Sequence, residues 1–265
     1  MNYPLFRYSC KRTFPMWFVF TLLMSVYAFA VVRMYDPEAG KALLDMTQSL
    51  PQTMTVLGMA TYDDTFTAFI VNYLYGMLML ALPMLFTIIL STLLIARHIS
   101  RGTMCCLLAS PNSRQKIAAT QRNVLLFYLF LMLGVCCVVT IILCEYYYPG
   151  QLEIIPFLVL TLAVLALNIT MASFCFFFSC KCKSTGNALI CSAGLCMLFY
   201  TLRLLANLGG PLSYLQFITP YTLIDPVGIL QLNVQSCLLP VALLVIALIF
   251  FKLATRSFQK RSMPF

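Results

Sequence analysis

The sequence predicts an all-α integral membrane protein with six transmembrane helices and both termini on the cytoplasmic side. Three observations carry this. Of the 265 residues 62% are hydrophobic and only 9% are charged, and the mean hydropathy of +0.91 belongs to polytopic membrane proteins rather than soluble domains. The apolar residues gather into six runs that are free of charge except for Arg203 near the end of the fifth. The charges between those runs are sorted by sign.

The runs cover residues 14–32, 66–95, 124–143, 154–179, 188–205 and 235–251, and they organise residues 1–265 as a single transmembrane domain. A helix rises 1.5 Å per residue, so each run reaches the roughly 17–25 residues that cross ~30 Å of hydrocarbon, the fifth and sixth with little to spare. The second has 32 residues between Asp64 and Arg97 without a charge, roughly 48 Å if helical, so it tilts or extends beyond the bilayer. The first run follows Arg7, Lys11 and Arg12 and ends near Ala28-Phe29-Ala30, a pattern that also fits a secretory signal peptide. Its full span length favours a first membrane helix.

Lys and Arg fall before the first run (Arg7, Lys11, Arg12) and after the second (Arg97, Arg101, Arg114, Lys116, Arg122). They recur after the fourth (Lys181, Lys183) and after the sixth (Lys252, Arg256, Lys260, Arg261), making fourteen of the seventeen. All eight acids (Asp36, Glu38, Asp45, Asp63, Asp64, Glu145, Glu153 and Asp225) fall in the alternate segments. The positive-inside rule therefore places both termini and the segment 97–122 in the cytoplasm. The net charge of +9 follows from this asymmetry, and no segment has the pattern of a nucleic-acid module, so no nucleic-acid partner is expected.

The twelve cysteines do not form a disulfide framework. Most lie inside apolar runs, where a free thiol behaves as a small hydrophobe, or in basic segments on the reducing side. Cys180-Lys-Cys182 lacks the spacing and partner ligands of a zinc site. Cys144 and Cys237 are the two candidates for a bridge near the outer face. The spans carry no Asp, Glu or His, and His98, the one histidine, sits at the cytoplasmic end of the second. That pattern argues against an intramembrane enzyme and against proton- or sodium-coupled transport. No Gly-Lys-Ser/Thr phosphate loop occurs, so this chain is not expected to hydrolyse ATP itself. No catalytic, metal or cofactor-binding residue is predicted. Asn72 and Asn168 are the polar candidates for a substrate path, against the plainer alternative of hydrogen bonding between helices.

Between the spans, residues 41–59 place Leu43, Leu50, Met54 and Leu57 at helical spacings broken at Pro51, an amphipathic outer loop on the membrane surface or a cover on the helix ends. Glu145–Gly150 reads as a tight outer turn with tyrosines as headgroup anchors. Residues 206–233 hold Pro211, Pro220 and Pro226 yet stay largely apolar, as short broken helices in or on the outer leaflet. Packing against the spans accounts for the same pattern. The N-terminal NYPLFRYSCKRTFP reads as a basic amphipathic helix on the inner leaflet.

The polar island 100–122, SRGTMCCLLASPNSRQKIAATQR, is ordered more closely than a charge signal requires. Gly102 and Thr103 are followed by Leu107 and Leu108, then Pro111, Ser113 and Arg114, then Ile117. This resembles the first cytoplasmic loop of type-2 (drug and polymer exporter) ABC transporter permeases. SLPQTMTVLGM (49–59) is similar to that family's segment after span one, and Ile218-Thr219-Pro220 before a last span with a basic tail fits as well. The likeness extends over nearly the whole chain. It departs in two places: Arg97, His98, Ser100 and Arg101 stand where relatives carry acids before the Gly-Thr, and Gln121 stands where a lysine is common.

The resemblance implies that the island is a coupling segment docked on a separate ATP-binding subunit, which holds ATP and Mg, while this chain holds no cofactor. Arg101, Gly102, Thr103, Leu107, Leu108, Pro111, Ser113, Arg114 and Lys116 are then the docking residues. Met104, Cys105 and the two leucines would supply an apolar anchor, and the arginines and Lys116 a basic rim. Pro111 would end the short helix at Ser110, and Asn112 or Ser113 would cap the next. A loop that only holds anionic lipid heads is the alternative. The expected setting is a bacterial cell membrane, with a second copy or a related permease completing the dimer. The expected substrate is hydrophobic or amphipathic: a lipid, peptide or drug-like molecule. A multipass scaffold, sensor or immunity protein is the competing class.

Overall fold

The computed structural model describes residues 2–35, 66–76, 78–100, 113–182, 184–207, 214–215 and 217–260. The outer loop 41–59 and docking residues Arg101, Gly102, Thr103, Leu107, Leu108 and Pro111 lie outside them. Six helices are long and apolar enough to cross a membrane, and no strand occurs among the described residues. They are α1 (Tyr3–Met34), α2 (Phe66–Ser100), α3 (Arg114–Tyr147), α4 (Ile154–Lys181), α5 (Thr185–Ala206) and, after a short α6 (Pro226–Leu230), α7 (Val234–Lys260).

Each of the six contains one predicted apolar run, and most outreach it with polar turns. The basic N-terminal stretch is not a separate surface helix. It is the first part of α1, which runs 32 residues through Pro15, about 48 Å. Side-chain caps set three of the starts. Asn2 accepts from the Leu5 amide at 3.4 Å, Ser113 from Lys116 at 3.3 Å and Ser184 from Asn187 at 3.2 Å, each satisfying an amide that has no partner within the helix. The over-long α2 contains a π turn, Thr92–Ala96. There the Ser91 and Thr92 hydroxyls both donate to the Ile88 carbonyl, at 3.1 and 2.7 Å, competing with the backbone ladder.

Two parallel helix pairs organise the bundle. α1 lies beside α3 along its whole length: the Asn2 amide donates to Thr120 at 3.1 Å, the Tyr128 hydroxyl to the Cys10 carbonyl at 2.7 Å, and the Tyr148 hydroxyl to the Tyr35 carbonyl at 2.5 Å. Tyr148 also meets Tyr35 edge-to-face and Phe66 at a tilt, ring centroids 5.1 and 5.0 Å apart. It is therefore a clasp between helices rather than a lipid anchor, whereas Tyr146 is exposed. α4 pairs with α7 through Thr170 donating to the Leu243 carbonyl at 2.9 Å and through Phe174–Phe250 and Phe176–Phe251 ring contacts at 4.5 and 5.8 Å.

α4 also packs on α2, α3 and α5, consistent with an apolar residue set all round the helix. By contrast α5 buries only 17% of its apolar window, against 71% for α2. Ile190 and Leu198 on α5, with Phe18 and Leu22 on α1, therefore face outward toward lipid or another subunit. α5 is held to α4 by a buried thiol contact, Cys175 to Cys196 at 3.5 Å. Cys144 and Cys237 are both free thiols.

Candidate functional site

The two ends of the bundle differ in charge. The end at which α1, α3 and α5 begin and α2, α4 and α7 finish carries Arg7, Lys11, Arg12, Arg97, His98, Arg114, Lys116, Arg122, Lys181, Lys252, Arg256 and Lys260. The described acids Glu145, Glu153 and Asp225 all lie at the opposite end, together with Arg33 and Arg203.

At the basic end, three of the predicted docking residues are described, and they sit at the start of α3. Ser113 is the cap, Lys116 is exposed, and the Arg114 guanidinium donates to the Gln259 carbonyl on α7 at 3.4 Å. On the other side of the segment 101–112, Ser100 at the close of α2 meets Thr185 at the start of α5. The Thr185 amide and hydroxyl each lie 2.8 Å from the Ser100 hydroxyl. The chain on both sides of the segment is thus tied to a further helix. Ile117 is buried.

Gln121 is 2% exposed, and its Oε1 accepts no hydrogen bond among the described residues. A buried acceptor left unmade costs about 1–3 kcal/mol. Gln121→Met keeps the length and removes the amide, so it is expected to raise the thermal unfolding midpoint in detergent. An unchanged or lower midpoint would count against the orphaned amide as a source of strain.

At the opposite end a cavity of about 400 Å³ opens between the first turns of α2, the last turn of α5 and the outer segment. That volume lies within the range of small-molecule sites. Asn72 reaches its wall from α2, Arg203 and Asn207 from the end of α5, and Thr219, Tyr221 and Asp225 from the outer segment. The Arg203 guanidinium stands 5.2 Å from the centre of the Tyr221 ring, a cation–π contact. Tyr221 lies in the 3₁₀ turn Pro220–Leu223, and its hydroxyl points at the Met84 sulfur, 3.7 Å away. Burial pushes that hydroxyl well above its ordinary titration range, the Arg203 charge opposing only in part, so it stays a protonated donor. Asp225 accepts from the Ser236 hydroxyl at 3.1 Å, which fixes the carboxylate against the start of α7.

The two asparagines singled out from the sequence part company here. Asn72 lines the cavity, whereas Asn168 is 2% exposed and donates to the Val164 carbonyl of its own helix at 2.9 Å. Arg203 and Asp225, the charged pair of the wall, were not singled out. The available signal was a lone arginine three residues before the end of an otherwise uncharged fifth span.

A protein-family model described as "ABC-2 family transporter protein" matches residues 11–263. A comparison with curated proteins finds no match. With six membrane-crossing helices in an all-α bundle and a family match over nearly the whole chain, the chain belongs to the ABC-2 transporter family as a multi-pass permease subunit of an ABC transporter.

Proposed function

We propose that this permease exports a hydrophobic or amphipathic substrate, with the basic end in the cytoplasm and ATP hydrolysed by a separate subunit docked on residues 101–116. This chain is then no enzyme; it holds neither ATP nor Mg, and a second permease copy or a related permease completes the transporter. The observation that carries the reading is how the docking segment is anchored. Ser100 is tied to Thr185 on α5 and Arg114 to Gln259 on α7. A push on the segment therefore moves the ends of α2, α3, α5 and α7 together. At the far end α2 and α5 are also the walls of the 400 Å³ cavity, so the same displacement reshapes it. Ligand coupling of this kind needs an element contacted at both ends, and α2 with α5 meets that condition. Among the described residues the cavity wall has one cation, one carboxylate and apolar flanks from Val71 and Ile224, which suits an amphipathic molecule with a polar or zwitterionic head.

The test is affinity purification of the full chain in mild detergent from its native host, followed by an ATPase assay. An ATP-binding subunit is expected to co-purify, and replacing Leu107, Leu108 and Arg114 together is expected to abolish its retention. Loss of a buried apolar anchor and a charged contact costs several kcal/mol, or at least a hundredfold in affinity. Failure to recover such a subunit, or retention by the triple variant, sinks the docking role.

A further inference from the structure

The basic end holds a second, smaller cavity of about 70 Å³ between the first third of α1 and the last turns of α2. Met16, Leu93 and Leu94 form an apolar floor, and Arg12, Arg97 and His98 line the polar side. Arg97 and His98 are half-buried and Arg12 is exposed. Ser9 and Thr13 close the α1 side, both buried, with the Thr13 hydroxyl committed to the Ser9 carbonyl at 2.9 Å. All the described carboxylates stand at the far end of the bundle.

Arg12 and Arg97, converging on one partly desolvated notch, repel one another unless an anion joins them. The apolar floor means that the anion best suited has an apolar continuation. The volume accepts one phosphate group and is too small for a nucleotide. Beside the mouth, Phe14 and Phe18 of α1 turn outward, where acyl chains run, and the exposed Tyr8 suits the headgroup level. We propose that this notch binds the phosphate of an anionic phospholipid from the leaflet at the basic end. Arg97 and Arg12 grip its oxygens, and the glycerol and first methylenes lie on Met16, Leu93 and Leu94. Such a lipid bridges α1 to the last turns of α2, immediately before residues 101–112. The composition of that leaflet then sets how firmly the start of the segment is held, whatever the transporter carries.

The test is native mass spectrometry of the full chain in detergent, titrated with phosphatidylglycerol, phosphatidylcholine or inorganic phosphate. One tightly retained phosphatidylglycerol per chain is expected, with phosphatidylcholine held more weakly and millimolar inorganic phosphate unable to displace the lipid. Arg12→Gln and Arg97→Gln are each expected to weaken retention about fivefold. Lys252→Gln and Arg256→Gln, exposed at the same end but outside the notch, should leave it unchanged. Equal loss from the Lys252 or Arg256 variants would reduce the effect to general surface charge and overturn the proposal. So would equal retention of phosphatidylcholine, or displacement by inorganic phosphate. Arg12 is exposed and its variant leaves the packing intact, so Arg12→Gln alone decides the matter if Arg97→Gln does not fold.

Discussion

Replacing Arg203 by methionine is expected to cut substrate-stimulated ATP hydrolysis of the assembled transporter by at least about tenfold, while leaving its ATP-binding subunit bound. The guanidinium is the one cation among the described residues of the 400 Å³ cavity's wall and is held over the Tyr221 ring at 5.2 Å. A charge-assisted contact from such a site to a polar head contributes about 1.5–3 kcal/mol, or roughly tenfold to a hundredfold. Methionine keeps the length and the apolar stem and deletes only the charged end. Arg203→Lys should fall between the two, because an ammonium keeps the charge but not the planar face that lies over the ring. The measurement is ATPase stimulation in proteoliposomes across a panel of amphipathic compounds, with co-purification of the subunit as the control. Stimulation equal to that of the unaltered protein would remove Arg203 from the substrate path.

Gly228→Ala carries the largest expected cost to stability. Gly228 sits in α6, where the short helix passes closest to the start of α7. A Cβ there would collide with the Ser236 hydroxyl and the Asp225 carboxylate, and would stand 2.8 Å from the Ser236 Cβ. The neighbours have little freedom to retreat. Ser236 and Asp225 are bonded to each other, and the chain turns back directly afterwards, through Leu232 with a left-handed φ of 53° and the Asn233 amide bonded to the Gly228 carbonyl at 2.8 Å. Overpacking of this kind costs about 1–3 kcal/mol, read as a lower thermal midpoint in detergent. Combining it with Ser236→Gly removes two of the three clashes, so the double variant is expected to be less destabilised than the sum of the singles. Strict additivity would show that the segment moves away instead.

The spans were legible because lipid leaves a chain few choices. Backbone groups in hydrocarbon must bond internally, so about 20 apolar residues in a row make a helix. The helix ends were less legible. α3 begins at Arg114, ten residues before the apolar run starts at Val124, and α7 continues to Lys260, since polar helical turns in water look like loops to a hydropathy reading. Ser113, one of two caps expected from the sequence, is the residue that caps α3. The continuity of α1 through Pro15 was hidden, because proline ordinarily marks a helix boundary. The far cavity was the least visible feature. Arg203 and Tyr221 are separated by a proline- and glycine-rich stretch, and no periodicity relates an arginine on a span to a ring in a 3₁₀ turn. Family resemblance pointed instead at the coupling segment, at the other end of the bundle.

The parallel pairing of helices also constrains how the protein is made. Neighbours joined by a short turn run antiparallel, so a parallel partner always arrives at least one full crossing late. α1 must wait for α3 before Tyr128 and Tyr148 can reach the Cys10 and Tyr35 carbonyls. α4 enters the bilayer with Thr170 and Phe174 aimed at a helix not yet synthesised. Its partner surface stays open until α7 emerges, so α7 is the helix that covers α4. A chain stopped after α5 would present that bare face of α4 to the membrane's quality-control proteases.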